Sequence, residues 1–268
     1  MVTAPRPVPL TVATDPAHGG RWTSLAGGGR EWLWHREEPR RAGVAPGDAF
    51  ADAGGLEECV PTVRGLPDHG DAWSRPWRAD GDGDGYTVEC PDFRLTRRVT
   101  AEAGAVVAAY TLRAEPGYRF VWAAHALLDL SPAARLGVDG RPAARLYPDE
   151  GATQVPGTWP TVGGFPLDVL GPDDGTAVGA VVDTGRMTVT DGPDTLHLAL
   201  EAEGQPVAVA LWRNLGAFPA DAPYRSTGVE PMLGRVFDRA GANEGDTAVV
   251  PASGEVSWRL TATATRRT

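Results

Sequence analysis

Apolar and polar side chains alternate with a period of two along much of this chain. Near the C-terminus Val256, Trp258, Leu260 and Ala262 fall on one side and Ser257, Arg259 and Thr261 on the other, and Leu196, Leu198 and Leu200 repeat the spacing. That period belongs to a half-buried strand, because apolar positions on a helix face recur every three to four residues. The same reading predicts strands at Tyr86 to Glu89, Phe93 to Val99, Ala105 to Arg113, Arg119 to Leu130, Thr176 to Asp183 and Pro206 to Trp212. Turn chemistry bounds them, as in Asp80 to Gly85, Pro91-Asp92, Glu115-Pro116-Gly117, Gly171 to Gly175 and Asp191 to Asp194. No window of about a dozen residues sustains an amphipathic helix. The 34 Gly and 24 Pro would interrupt one.

The expectation is an all-β, antiparallel chain folded as a large sandwich or a barrel. With 268 residues, no internal repeat and no composition shift that would mark a linker, it is expected to form one domain over 1–268. Two longer stretches, Arg36 to Trp77 and Tyr147 to Phe165, lack clean alternation and read as irregular loops, where function concentrates.

Composition narrows the function classes. A formal net charge of −10 disfavours nucleic acid and anionic membranes as partners. No stretch approaches the ~18 apolar residues of a membrane-spanning helix. The N-terminal residues lack the apolar core of a secretory leader. A cytoplasmic location is the expectation. Cys59 and Cys90 lack CxxC spacing and are expected to be reduced, structural thiols. No metal site is expected.

Three fragments carry candidate chemistry. In the run Phe120 to Leu130, strand geometry places Phe120, Trp122, Ala124, Ala126, Leu128 and Leu130 on a core face. His125 lies on the other face, beside the small Ala123, where a ligand has room; a core histidine bonded to a neighbouring strand is the plain alternative. Glu230 precedes Pro231, which biases its backbone to an extended conformation and holds the carboxylate in place. His69 sits between Pro67 and Trp73, next to Gly70, which permits close backbone approach. Indole faces suit the C–H faces of sugar rings, and Trp73, Trp77 and Trp159 lie in the irregular stretches. The chain has no GxSxG, GxxxxGK[ST] or HExxH motif, and Gly27-Gly28-Gly29 lacks the context of a phosphate cradle. Glu57 and Glu58 could serve a two-carboxylate glycosidase, although adjacent strand residues face opposite ways and only one could act.

With Ala17 to Leu25, Gly54-Gly55, Pro61, His69-Gly70, the His125 strand and Val229-Glu230-Pro231 in that order, the chain resembles the aldose 1-epimerase, or galactose mutarotase-like, family, including its hexose-6-phosphate branch. The resemblance implies a large β-sandwich with a sugar groove on one face. It implies that Glu230 is the general base at the anomeric hydroxyl, that His125 is the general acid at the ring oxygen, and that His69 hydrogen-bonds the ring region. No cofactor is implied. Such chemistry needs one acid and one base, each worth ~10²–10⁴ in rate.

The chain departs from the family where Leu127 and Leu128 replace the aromatic residues usual after the second histidine. Asp168 is the nearest candidate for the substrate-binding aspartate, and Arg64 and Trp73 are the other expected substrate contacts. A sugar phosphate would call on further arginines, with Arg75 and Arg78 as candidates. A non-catalytic carbohydrate-binding protein on the same scaffold is the rival of a different class. A monomer is the default and a dimer is possible.

Overall fold

The computed structural model describes residues 4–80, 85–148 and 153–268. Among them the helical content is one 3-10 turn, Pro39–Gly43, and nearly everything else regular is strand. The expected turn from Asp80 to Gly85 falls mostly outside the described residues. Among the described residues no helix is long and apolar enough to cross a membrane.

Two large sheets dominate. The described residues form a nine-stranded sheet centred on Asp194–Ala202, Glu255–Arg266, Ala105–Ala114 and Phe93–Glu102, and a twelve-stranded sheet. The middle of the larger sheet runs Thr176–Val182, Val207–Leu215, Arg225–Leu233, Trp122–Leu128 and Leu56–Cys59, each antiparallel to its neighbour. The architecture is the all-β antiparallel sandwich.

The main core lies between the sheets. Tyr110 and Trp258 stack at 5.1 Å and 5°, and Trp122 from the larger sheet closes against Trp258 at 5.1 Å. A second, smaller apolar cluster, with Val121, Ala123, Ala210 and Met232, covers part of the opposite face of the larger sheet. The strand Trp122–Leu128 is therefore buried on both faces. Its even-numbered residues belong to the main core, as the period-two partition requires.

Three segments differ from the sequence expectation. Leu56–Cys59 is a central strand inside the stretch read as irregular, and all four residues are buried. It shows no alternation because Glu57 and Glu58 are both internal, each neutralised by an arginine. Arg225–Leu233 is a full central strand despite Gly228 and Pro231. Pro231 pairs with Val209 on one side, while the ladder to Trp122–Leu128 is interrupted between Gly228 and Met232, where proline has no N–H to give. The stretch from Tyr147 to Phe165 contains the short edge strands Val155–Thr158, Thr161–Val162 and Phe165–Pro166.

Candidate active site

Sheet register brings the first two groups together. Ala123 pairs with Met232 and Leu127 with Gly228. Counting inward from either pair sets His125 directly across from Glu230. Opposite residues in an antiparallel pair share a face with Cβ atoms roughly 4.5–5.5 Å apart, and here His125 Nε2 lies 3.8 Å from Glu230 Oε1. Gly228 makes the arrangement possible. A Cβ at that position would strike Glu230 Oε1 and stand 3.0 Å from the Trp212 Cβ. The carboxylate folds back over the bare glycine.

The pair forms the buried floor of an open cleft of about 1020 Å³. Glu230 is 1% exposed and His125 8%. Burial pushes the Glu230 carboxyl above the usual range, a push that the nearby Asp52 reinforces and that His125 and Arg64 oppose. Burial lowers His125, with the Glu230 charge opposing and His69 adding to the shift. Each effect disfavours the charged form, as expected for groups withdrawn from water. Glu230 Oε2 has no hydrogen-bond partner among the described residues.

The third group comes from the loop after Val60. Gly70 is packed so tightly on the Val60 backbone that a side chain there would collide with it. His69 takes a left-handed conformation, φ 56°, and its N–H donates to the Val63 carbonyl at 3.2 Å. Its ring stacks on Phe50, centroids 3.8 Å apart at 12°, and stands edge-on to His125 at 5.1 Å and 82°. Both imidazoles and Arg64 line the cleft with Glu230.

The cleft walls contain groups the sequence did not single out. Asp52 accepts the Tyr224 hydroxyl at 2.5 Å and the Gly54 N–H at 2.9 Å. Tyr224 stacks on Trp34 at 5.1 Å, and the Arg36 guanidinium lies 4.5 Å over its ring. Across the cleft, Trp212 and Phe218 pack edge to face at 5.9 Å. No local motif marks Asp52 or Tyr224; they meet only because the chain returns to the same wall.

Other expectations are corrected. Trp73 is not a sugar platform: it is 1% exposed, its Nε1–H donates to the Asp68 carbonyl at 2.9 Å, and its edge supports Phe50 at 4.9 Å. Trp77 and Trp159 are buried too. An indole in an irregular segment is still the best filler for space beneath a loop. Asp168 does not line the cleft; it sits beside the sandwich-closing Leu167 and Leu170, and its carbonyl accepts the Leu136 N–H at 3.0 Å. Arg75 pairs with Asp71 at 3.3 Å, and neither it nor Arg78 reaches the cleft.

The glycosidase alternative fails on geometry, since both adjacent glutamates are occupied. Glu57 is clamped by Arg41, Nε at 2.7 Å and Nη2 at 2.9 Å. Glu58 accepts from Arg97, Tyr110 and Trp122 in the main core. Among the described residues no three His, Cys, Asp or Glu side chains are grouped as metal ligands.

No protein-family model and no curated protein matches this sequence. Solved structures do match it in fold. A protein of Escherichia coli K12, provisionally described as an aldose 1-epimerase, superposes with TM-score 0.69 at 14% identity, covering 97% of this chain and 98% of its own. A galactose mutarotase-like protein from Lactobacillus casei ATCC 334 gives 0.66 at 14% identity, covering 97% and 100%. A galactose mutarotase related enzyme from Lactobacillus acidophilus gives 0.67 at 12%, covering 97% of both chains. The chain therefore has the fold of the galactose mutarotase-like proteins, the family that its sequence resembles.

Proposed function

We propose that this protein is an aldose 1-epimerase-like isomerase that interconverts the anomers of a hexose or modified hexose. The observation that carries the reading is the buried Glu230–His125 pair, 3.8 Å apart at the base of an open cleft. The anomeric hydroxyl and the ring oxygen are bonded to one carbon, so the base and acid that serve them must stand side by side. These two do.

Glu230 takes the proton of the anomeric hydroxyl, and the O–H pair becomes the second bond of the aldehyde. The bond between C1 and the ring oxygen breaks with its electrons on that oxygen, which receives a proton from His125 Nε2. Rotation about C1–C2 and the reverse transfers close the ring on the other face. Nothing is consumed, and both groups return to their starting state. Burial makes the ionised Glu230 a stronger base and the protonated His125 a stronger acid than either would be in water, while it lowers the share of each in that charged form. Asp52, Tyr224, Arg64 and Trp212 line the cleft and are the substrate contacts in this reading.

A phosphorylated hexose is the second reading, favoured by Arg36 and Arg40 in the cleft lining. Arg40 is already held by Glu38 through two hydrogen bonds of 3.0 and 3.1 Å. Saturation-transfer NMR on glucose, galactose and their 6-phosphates tests both readings. Acceleration of anomer exchange that disappears in Glu230→Gln supports epimerisation and shows the preferred sugar. Sugar binding without acceleration would turn the assignment to a carbohydrate-binding protein.

A further inference from the structure

Asp68 lines the same cleft as the Glu230–His125 pair but has no part in the chemistry above, and both its oxygens are committed. Oδ1 lies 2.7 Å from His69 Nδ1, and Oδ2 accepts the Phe50 N–H at 2.8 Å. Its carbonyl accepts the Trp73 indole N–H. One residue thus ties together the histidine, the aromatic ring stacked on it and the tryptophan beneath that ring. Such convergence on a half-exposed carboxylate is more than a loop needs to stay folded.

We infer that Asp68 is a positioning residue of the cleft: it holds the His69 ring in the tautomer with hydrogen on Nδ1 and turns Nε2 toward the substrate. An ionised carboxylate can only accept hydrogen bonds. Nδ1 must then be the donor, and Nε2 is the nitrogen left for the cleft. Burial opposes ionisation of Asp68, but the hydrogen bonds from His69 and the Phe50 N–H outweigh it and hold the group below the usual carboxylate range. Phe50 prevents the ring from tilting, at 12° and 3.8 Å. The ring stands at 82° to that of His125, with centroids 5.1 Å apart.

The catalytic consequence rests on the proposed epimerase reading. When the ring opens, negative charge develops on the ring oxygen near His125. His69 does not neutralise that charge, because the Nε2 lone pair of this tautomer is an acceptor; it takes a hydrogen bond from a neighbouring sugar hydroxyl and so holds the ring oxygen in line with His125 Nε2 as the proton moves. With its two oxygens on His69 Nδ1 and the Phe50 N–H, Asp68 acts through His69. The role differs from those of Glu57 and Glu58, whose partners are buried arginines.

The test reads the tautomer directly. Nitrogen-15 NMR of the histidine side chains is recorded well above the ordinary imidazole range, with the His69 signals assigned by their loss in His69→Gln. The wild-type spectrum is expected to show hydrogen on Nδ1. In Asp68→Asn the amide oxygen can keep the Phe50 N–H while its NH2 faces Nδ1 as a donor, so the hydrogen moves to Nε2. The same variant should lose roughly 10–100-fold in kcat, by analogy with removing the outer partner of a metal-bound histidine, with KM nearly unchanged.

Hydrogen on Nε2 in the wild type overturns the assignment, and that spectrum does not depend on the variant folding. A flipped tautomer with kcat unchanged overturns the catalytic consequence. If no sugar shows anomer exchange, the epimerase reading fails while the tautomer still decides the role of Asp68.

Discussion

Two buried glutamates should respond in opposite ways to the same substitution, Glu→Gln. Glu58 is fully buried. It accepts Arg97 Nη1 at 2.7 Å and the Tyr110 hydroxyl at 2.9 Å on one oxygen, and Trp122 Nε1 at 2.8 Å on the other. An amide must point its NH2 at one of these donors, and it leaves the 1%-exposed Arg97 without a counter-charge. Breaking a buried pair this way costs about 3–5 kcal/mol. For a chain of this size that is on the order of 10 °C in Tm.

Glu230 has none of these partners. Among the described residues its Oε2 has no hydrogen-bond partner, and the His125 ring with which it pairs is 3.8 Å away. An amide is less costly to bury than this carboxylate, so Glu230→Gln should leave the protein as stable as wild type or raise its stability by about 1–2 kcal/mol. Anomer exchange should meanwhile fall by ~10²–10⁴.

The pH dependence gives a second handle. Burial raises Glu230 in the folded state, so the folded chain holds this proton more tightly than the unfolded chain does. Its contribution to stability is full below the ordinary glutamate value near ~4.3 and is lost as pH rises through the folded value. The advantage of Glu230→Gln should thus vanish in acid and appear at neutral pH. Denaturant unfolding of wild type and both variants at two pH values, beside the NMR exchange assay, measures all of it. A loss of stability in Glu230→Gln as large as in Glu58→Gln would refute the argument, because it would make the Glu230–His125 pair a structural ion pair.

Other predictions test separate parts of the account. The acid limb of the kcat/KM profile should lie above the ordinary carboxylate range, following the raised Glu230, and should be absent in Glu230→Gln. Gly228→Ala should reduce kcat at least tenfold while far-ultraviolet circular dichroism stays unchanged, since a Cβ there displaces Glu230 Oε1 and even small misplacement is costly. An active Gly228→Ala enzyme would show that the carboxylate need not fold back over residue 228. Trp73→Ala should cost about 3–5 kcal/mol in unfolding experiments, whereas Trp212→Ala should act mainly on KM; the reverse result would restore Trp73 as a substrate contact.

Some of this site is readable locally. In the run from Phe120 to Leu130, alternation alone separates His125 from the core face, because successive side chains on a strand point to opposite sides whatever the rest of the chain does. Arg225–Leu233 is harder to read, since Gly228 and Pro231 argue against a central strand; they are tolerated where the ladder to Trp122–Leu128 is interrupted. Leu56–Cys59 hides its strand character because Glu57 and Glu58 occupy positions that the core accepts only with Arg41 and Arg97 already in place. Trp73 misleads for a related reason: nothing local distinguishes an indole that covers a loop's underside from one that faces a ligand.

The amino-acid sequence by itself determined the all-β class, the strand faces and the presence of an imidazole on the non-core side of a strand. These follow from steric and solvation preferences acting over a few neighbouring residues. Tertiary structure decided that Glu230 stands across from His125, that Asp52 and Tyr224 share a wall with them, and that Asp168 lies outside the cleft. These depend on register and loop closure between segments far apart in the chain. A shift of one residue would send every side chain of a strand to the opposite face, so the site exists only once the whole sheet has settled on one pairing.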